Sequence, residues 1–258
     1  MNKIVGKIKN FLLELFFPIF CLGCRREGVY LCQDCKAILE ISEFQYCLCG
    51  KNPLKINLEL NKYGKCNKCS DKKLSGLYFA LPYKESALTR KLIHQFKYQP
   101  YIKDLAKTLA LLLAEHFLIS GSNKEDVWRD SILIPIPLDK KKLKNRGYNQ
   151  AEELAKELFK ILKVPVFSDI LIKIKTTLSQ VELSGKEREQ NLKNAFAINP
   201  VRNQISNGVK KSFDFFRGKK IFLVDDVYTT GSTMEECANI LKKAGAKQVW
   251  GIVIAREG

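Results

Sequence analysis

Two adjacent carboxylates, Asp225 and Asp226, are followed after Val227 and Tyr228 by Thr229, Thr230, Gly231, Ser232 and Thr233, a run of small hydroxyl residues around one glycine. An adjacent pair of carboxylates repels itself unless a cation or hydroxyl groups lie against it, and a ribose diol with a bound Mg²⁺ satisfies both. Gly231 permits a backbone turn closed to other residues, so the amides of residues 230–233 can converge on an anion at the positive end of a helix dipole. A terminal phosphate fits that loop. With the hydroxyl loop attached, the pair is more than an ordinary solvated Asp-Asp turn. Because no Gly-Lys-Ser/Thr is present, the loop is not a Walker loop.

The second chemistry-bearing pattern is thiol. Eight of the nine cysteines precede residue 70. Cys21 and Cys24, then Cys32 and Cys35, form two knuckles whose four thiolates are spaced to close tetrahedrally on one Zn²⁺. Cys47, Cys49, Cys66 and Cys69 supply a second set, with a tighter Cys-x-Cys knuckle and a loop containing Pro53 and Gly64 between its halves. A structural double zinc ribbon follows, with pairing across the two sets left open. Paired spacing is a ligand pattern and not that of a secreted disulfide scaffold, so the chain is expected to be cytoplasmic. Cys237 stands alone on the helix after the hydroxyl loop and reads as core.

The elements that must position these groups alternate. Residues 221–224 are an apolar run without polar alternation, which suits a strand covered on both faces, and residues 232–244 form the next helix, closed at Gly245. Upstream, residues 77–82 read as a strand and 88–96 as a helix ending in Lys97-Tyr98-Gln99-Pro100. A long apolar helix covers 102–119, and a buried strand covers 132–136. Pro135, Ile136 and Pro137 stop that strand and open a loop carrying Lys140, Lys141, Lys142, Lys144 and Arg146, before residues 147–150 begin another helix. Five cations beside a phosphate site suggest anion contacts, against the alternative of a solvated face. Residues 166–174 read as a strand, 199–213 as a surface excursion, and 248–255 as a last buried strand. Strands and helices alternating in this way predict a parallel α/β sheet with its site at the strand carboxyl ends. The expected domains are 1–75, an amphipathic segment with the double zinc ribbon, and 76–258, the α/β domain.

The chain of 258 residues has 46% hydrophobic content and a formal charge of +17, which eight zinc-bound thiolates would reduce without cancelling. Such a surplus suits nucleic acid or anionic lipid, although a lysine-rich proteome gives the same number. Lys3, Lys7 and Lys9 ahead of residues 11–20 imitate a signal peptide, and residues 22–24 weakly resemble a lipoprotein box. Glu14 and Pro18 interrupt a run too short to span a bilayer, so no transmembrane segment is expected. Ile4, Ile8, Phe11, Leu12, Leu15 and Phe16 form one face of an amphipathic helix that packs on the zinc module or touches a membrane surface. His94 and His116 have no motif around them and read as ordinary helix residues.

Residues 224–233 resemble the phosphoribosyl pyrophosphate (PRPP) signature of type I phosphoribosyltransferases. Together with residues 134–138, 146–150 and the pattern Thr177, Gln180, Leu183, Ser184, Arg188 and Asn191, they resemble the competence protein ComF family. Members have a zinc-binding amino-terminal module on a phosphoribosyltransferase-like domain similar to amidophosphoribosyltransferases, and are linked to DNA uptake in natural transformation. The Cys47-x-Cys49 knuckle departs from the family's more frequent Cys-x2-Cys.

The resemblance implies that Asp225 and Asp226 hold the ribose hydroxyls and that Thr229 to Thr233 hold the 5-phosphate. It implies too that Pro135, Ile136, Pro137 and the loop with Lys140 and Arg146 face pyrophosphate, and that Arg188 belongs to a flexible loop closing over PRPP. Expected cofactors are structural Zn²⁺ and Mg²⁺ with PRPP. Expected partners are PRPP, single-stranded DNA and the DNA-uptake machinery at the inner membrane face, where the protein would be peripheral. Two functions follow: a PRPP-binding protein assisting DNA uptake, as transferase or PRPP sensor, and a salvage phosphoribosyltransferase with no DNA role.

Overall fold

A computed structural model describes residues 18–43, 47–49, 65–66, 69–123, 125–175, 192, 194–200 and 213–257. The expected amino-terminal amphipathic helix over residues 4–16 lies outside them.

Among the described residues, a four-stranded parallel sheet is built from β1 (Gly76–Pro82), β2 (Ser131–Pro135), β5 (Lys220–Tyr228) and β6 (Gln248–Arg256), in the order β1-β6-β5-β2. Its two faces are both covered, which is why Ile221, Phe222, Leu223 and Val224 carry no polar alternation and are each fully buried. Phe222, Val224 and Ile252 point into one core with the helices α3 (Leu105–Ile119) and α6 (Gln150–Leu162). Ile221, Leu223 and Val253 point into the other, against α8 (Ser232–Lys243). That helix buries Met234, Cys237, Ala238 and Leu241, one stripe at helical spacing, and leaves Lys242 and Lys243 for the carboxyl-terminal turn. Cys237 is core, as its lone position suggested. Truncating a residue as central as Phe222 to alanine would cost about 3–5 kcal/mol.

Three local readings are corrected. The segment 166–174 is not one strand: Val166 makes an isolated parallel bridge to Leu133, and β3 (Leu171–Lys173) pairs antiparallel with β4 (Phe196–Ile198) in a separate ribbon. The five cations lie on a short helix, α5 (Lys140–Arg146), not in an open loop, because Asp139 accepts from the Lys141 and Lys142 amides and Gly147 closes the far end in the left-handed region. The strand read over residues 221–224 does not stop there but carries the acidic pair within β5, since the ladder to β6 continues from Asp225↔Val253 through Tyr228↔Arg256.

Between these elements lie α2 (Ala87–Lys97), capped by Ser86, and the single turns α4 (Glu125–Trp128) and α7 (Phe213–Phe216). The cysteine-bearing segment, which includes the short helix α1 (Gln33–Ala37), packs along the β1 edge of the sheet. Ser42 N–H donates to Ala80 O at 2.8 Å, and His116, buried on α3, lies 2.6 Å from Ser42 O through Nδ1. Burial holds the His116 pKa below the usual imidazole value, so the ring serves as a neutral structural donor. The Ser42 bond to Ala80 covers part of the β1 edge, where an open strand would present free backbone groups to another chain.

Candidate functional site

Parallel order brings the carboxyl ends of β2 and β5 side by side, and the Ile136 amide donates to Val224 O at 2.9 Å across that junction. A cleft of about 400 Å³ opens above it. Its floor is the acidic pair. Asp225 Oδ1 accepts from the Asp226 amide at 2.8 Å, and Asp226, 4% exposed, holds the Lys97 ammonium at 2.9 Å through Oδ1. Burial, reinforced by the Asp226 charge, pushes the Asp225 carboxyl up to about 7 against the pull of Lys97 and Arg146. Burial disfavours the Lys97 ammonium, but Asp226 and then Asp225 outweigh it, so its pKa lies above the usual lysine value.

The hydroxyl loop leaves β5 at Thr229 and enters α8 at Gly231, whose φ of 77° lies in the left-handed region. A Cβ there would strike the ring and hydroxyl of Tyr228, so both the turn and the close packing require glycine. Gly231 is the helix N-cap and brings no side chain to satisfy the first-turn amides. Thr230 Oγ1 lies 2.9 Å from Ser232 Oγ, and Thr229 through Thr233 all line the cleft.

The opposite wall comes from Ile136, Pro137, Leu138 and Asp139, with Lys142, Asn145 and Arg146 from α5. Asn149 holds this wall in place, donating from Nδ2 to Ile136 O at 3.0 Å while its Oδ1 caps α6 through the Ala151 amide. Tyr148 Oη and Gln150 Nε2 both donate to Phe96 O, anchoring α2 to α6. Those bonds fix the carboxyl end of α2, and with it Lys97.

Of the expected site residues, Asp225, Asp226, Thr229, Thr230, Gly231, Ser232, Thr233, Ile136, Pro137 and Arg146 meet around this cleft. Pro135 ends β2 behind it, and Lys140 faces solvent on α5, where Lys142 takes the inward position. Arg188 and its neighbours Thr177, Gln180, Leu183, Ser184 and Asn191 lie outside the described residues. Sequence reasoning missed Lys97, Tyr101, Asn149 and Lys173 as cleft residues. A lysine in the last turn of a helix is what the helix dipole favours anyway, so nothing local marked Lys97 as a site residue.

The cysteines gather set by set, not across sets: Cys21, Cys24, Cys32 and Cys35 bring their sulfurs within 4.8 Å of one another, and so do Cys47, Cys49, Cys66 and Cys69. Backbone amides point at sulfur in both. Cys32 N–H donates to Cys21 Sγ and Cys35 N–H to Cys32 Sγ at 3.4 Å, and Cys66 N–H donates to Cys47 Sγ at 3.1 Å. Four sulfurs with supporting N–H donors form a soft donor set of the number a tetrahedral site takes, so each cluster can hold a metal ion. The tight Cys47-x-Cys49 knuckle closes its set as well as the regular one does.

A larger cavity, about 800 Å³, opens between residues 39–43 and the β1 edge. It presents Glu40, Glu43, Glu85 and Glu115 beside Lys36 and Arg256, an acid-rich lining that suits an anion less than the smaller cleft does.

Residues 143–258 match the family model of the phosphoribosyl transferase domain, and the parallel sheet with helices on both faces has the type I arrangement. The chain is 31% identical over 162 residues to the DNA utilization protein YhgH of Escherichia coli, covering 62% of this chain and 64% of that one. It is 32% identical over 139 residues to the competence protein ComFC of Streptococcus pneumoniae, covering 54% of each. Its similarity to competence protein F of Haemophilus influenzae, 32% identity over 251 residues, takes in 93% of this chain and 99% of that protein. A match of that extent, across the cysteine segment and the sheet alike, means that the chain belongs to the competence protein ComF family.

Proposed function

We propose that the protein binds PRPP with Mg²⁺ in the Asp225–Asp226 cleft and serves DNA uptake, with phosphoribosyl transfer as the chemistry the cleft is suited to. The observation that carries this reading is the meeting of the acidic pair, the hydroxyl loop and the cationic end of α5 around one opening of about 400 Å³.

A divalent cation fits the acidic pair, because in its absence the Lys97 ammonium stands 2.9 Å from Asp226 as the neutralising charge. Asp225 and Asp226 would hold Mg²⁺ with PRPP, where the ion would offset the negative charge that develops on the pyrophosphate leaving group. Asp225 and Asp226 accept hydrogen bonds from the ribose hydroxyls. The amides of residues 230–233 donate to the 5-phosphate at the start of α8. Lys142 and Arg146, with Lys97 beside them, face the pyrophosphate. As the anomeric C–O bond breaks, its electron pair passes to pyrophosphate and oxocarbenium character develops on the ribose. Cations already fixed around the leaving group favour that separation without a nucleophilic side chain. Arg188 is assigned to a segment that excludes water over the bound ligand.

In this reading residues 1–75 form the metal-binding module, with Zn²⁺ in each cysteine set, and 76–258 form the phosphoribosyltransferase-like domain. The DNA role is supported by relatives named for competence and DNA utilization and by the formal charge of +17. Lys140, Lys141 and Lys144 face solvent on α5 and offer single-stranded DNA a cationic surface. The protein would work in the cytoplasm, peripherally at the inner face of the membrane beside the uptake machinery. Among the described residues no helix is long and apolar enough to cross a membrane. A salvage transferase without a DNA role is less favoured, since it leaves the names of the relatives unexplained.

The deciding experiment is titration calorimetry of Mg²⁺-PRPP with the native chain and with Asp226→Asn. Losing a hydrogen-bonded charge of this kind costs on the order of 1.5–3 kcal/mol, roughly tenfold to a hundredfold in affinity. Unchanged binding by Asp226→Asn would remove the acidic pair from the site, whereas single-stranded DNA binding by the same variant should stay level.

A further inference from the structure

The second cysteine set and the hydroxyl loop are far apart in sequence and joined in space by one buried residue. Arg256 ends β6 beside Tyr228 in the ladder and is 6% exposed. Its Nη1 donates to Cys47 O at 2.8 Å and its Nη2 to Leu48 O at 2.9 Å, two carbonyls of the Cys47-x-Cys49 knuckle. The guanidinium lies 5.7 Å from the Tyr228 ring centroid and 5.6 Å from that of Phe79. Tyr228 in turn packs so closely under Gly231 that no Cβ fits between them. A second strut runs alongside, because Glu235 in the first turn of α8 accepts from the Lys73 and Leu74 amides, at 2.5 and 3.1 Å, just beyond Cys69. The first cysteine set packs instead against Leu31 and Leu88, away from the loop.

A buried guanidinium is tolerated only while its donors are met, and Arg256 Nε has no partner among the described residues. The two knuckle carbonyls therefore carry most of its hydrogen bonding. An ion closing the second set fixes those carbonyls. Opening the knuckle frees them, and the guanidinium must then shift against Tyr228 and the loop above it.

We propose that Arg256 is a positioning residue through which a metal ion in the second cysteine set stiffens the 229–233 loop and tightens its hold on a 5-phosphate. The proposal rests on the reading of the cleft as a PRPP site. Coupling of this kind is reciprocal in equilibrium affinity, so the ligand must tighten that ion's binding by the factor by which the ion tightens the ligand, a tightening that shows chiefly as slower release.

The test uses the full chain loaded with zinc and follows release of both ions to a chromogenic zinc chelator, with and without saturating Mg²⁺-PRPP, binding being checked by calorimetry. The expected result is that one of two release phases slows by about fivefold or more while the other is unchanged. In Cys49→Ser only the unaffected phase should remain. Arg256→Met should keep both phases and lose the slowing, and Arg256→Lys, which holds the charge but cannot bridge two carbonyls, should recover little of it. PRPP that binds and slows neither phase, or slows both alike, overturns the coupling and leaves the cleft assignment standing. Should Arg256→Met fail to fold, the native-chain release still decides. Absence of any Mg²⁺-PRPP binding to the native chain overturns both readings together.

Discussion

Lys97 Nζ lies 2.9 Å from Asp226 Oδ1, an ion pair between the end of α2 and the carboxyl-terminal part of β5, with Asp226 almost wholly buried. The pair keeps two neighbouring carboxylates compatible with a ligand-free cleft.

Replacing Lys97 by methionine should therefore destabilise the ligand-free chain by about 1.5–3 kcal/mol, the range for losing a hydrogen bond to a charged group. Urea denaturation measures it. The loss should be larger at pH 8 than at pH 5, since Asp225 becomes charged above about 7 and then also lacks its cation. Equal losses at the two pH values would separate Lys97 from the acidic pair.

The raised Asp225 pKa has a definite sign. Burial favours the protonated carboxyl in the folded chain, so its contribution to stability is fully present below the ordinary carboxylate range and is lost as pH rises to about 7. If the cleft binds Mg²⁺-PRPP as proposed, the ligand takes the ionised form, so affinity should rise over the same interval and binding below pH 7 should release a proton. Calorimetry in buffers of different ionisation enthalpy counts that proton. In Asp225→Asn the part due to the protein should vanish, leaving only the titration of the ligand's own phosphates.

Neutralising Lys140, Lys141 and Lys142 together should weaken single-stranded DNA binding and flatten the dependence of log affinity on log salt by about 0.7 for each phosphate no longer neutralised. Lys142 also lines the cleft, so PRPP affinity will fall as well. The salt slope is the informative quantity, and an unchanged slope would move the DNA surface off α5.

Chelation should unfold the cysteine-bearing segment, because four thiolates packed within 4.8 Å repel one another unless an ion or protons hold them. Elemental analysis should find about two zinc ions per chain. Cys24→Ser should lower solubility more than Cys47→Ser, and a zinc-free protein that stays folded would end the structural role of the metal.

The contiguous patterns were legible because their geometry is local. An apolar run, two carboxylates, a glycine between hydroxyls and a helix-forming segment specify a strand, a turn and a helix start wherever the fold puts them, and cysteine spacing limits which sulfurs can meet. Residues 140–146 show that a local signal can still be masked: their charge density suits an open loop, yet Asp139 ahead of three lysines is a cap, and the cap decides for helix. Residues 166–174 have the apolar content of a strand, but whether such a run extends the main sheet or turns away into a ribbon depends on what lies beside it.

What the sequence by itself determined is thus the chemistry offered at each point: an anion loop, an acidic pair, two thiol sets and a parallel α/β order. Tertiary structure alone decided which distant groups those points meet. Lys97 reaches Asp226 across 129 positions and Arg256 reaches Cys47 across 209, and neither partner carries a local mark of the other. The order β1-β6-β5-β2 makes both meetings, because parallel strands end on the same side and gather residues from remote crossovers at their carboxyl ends, a consequence of sheet packing that no short window of sequence contains.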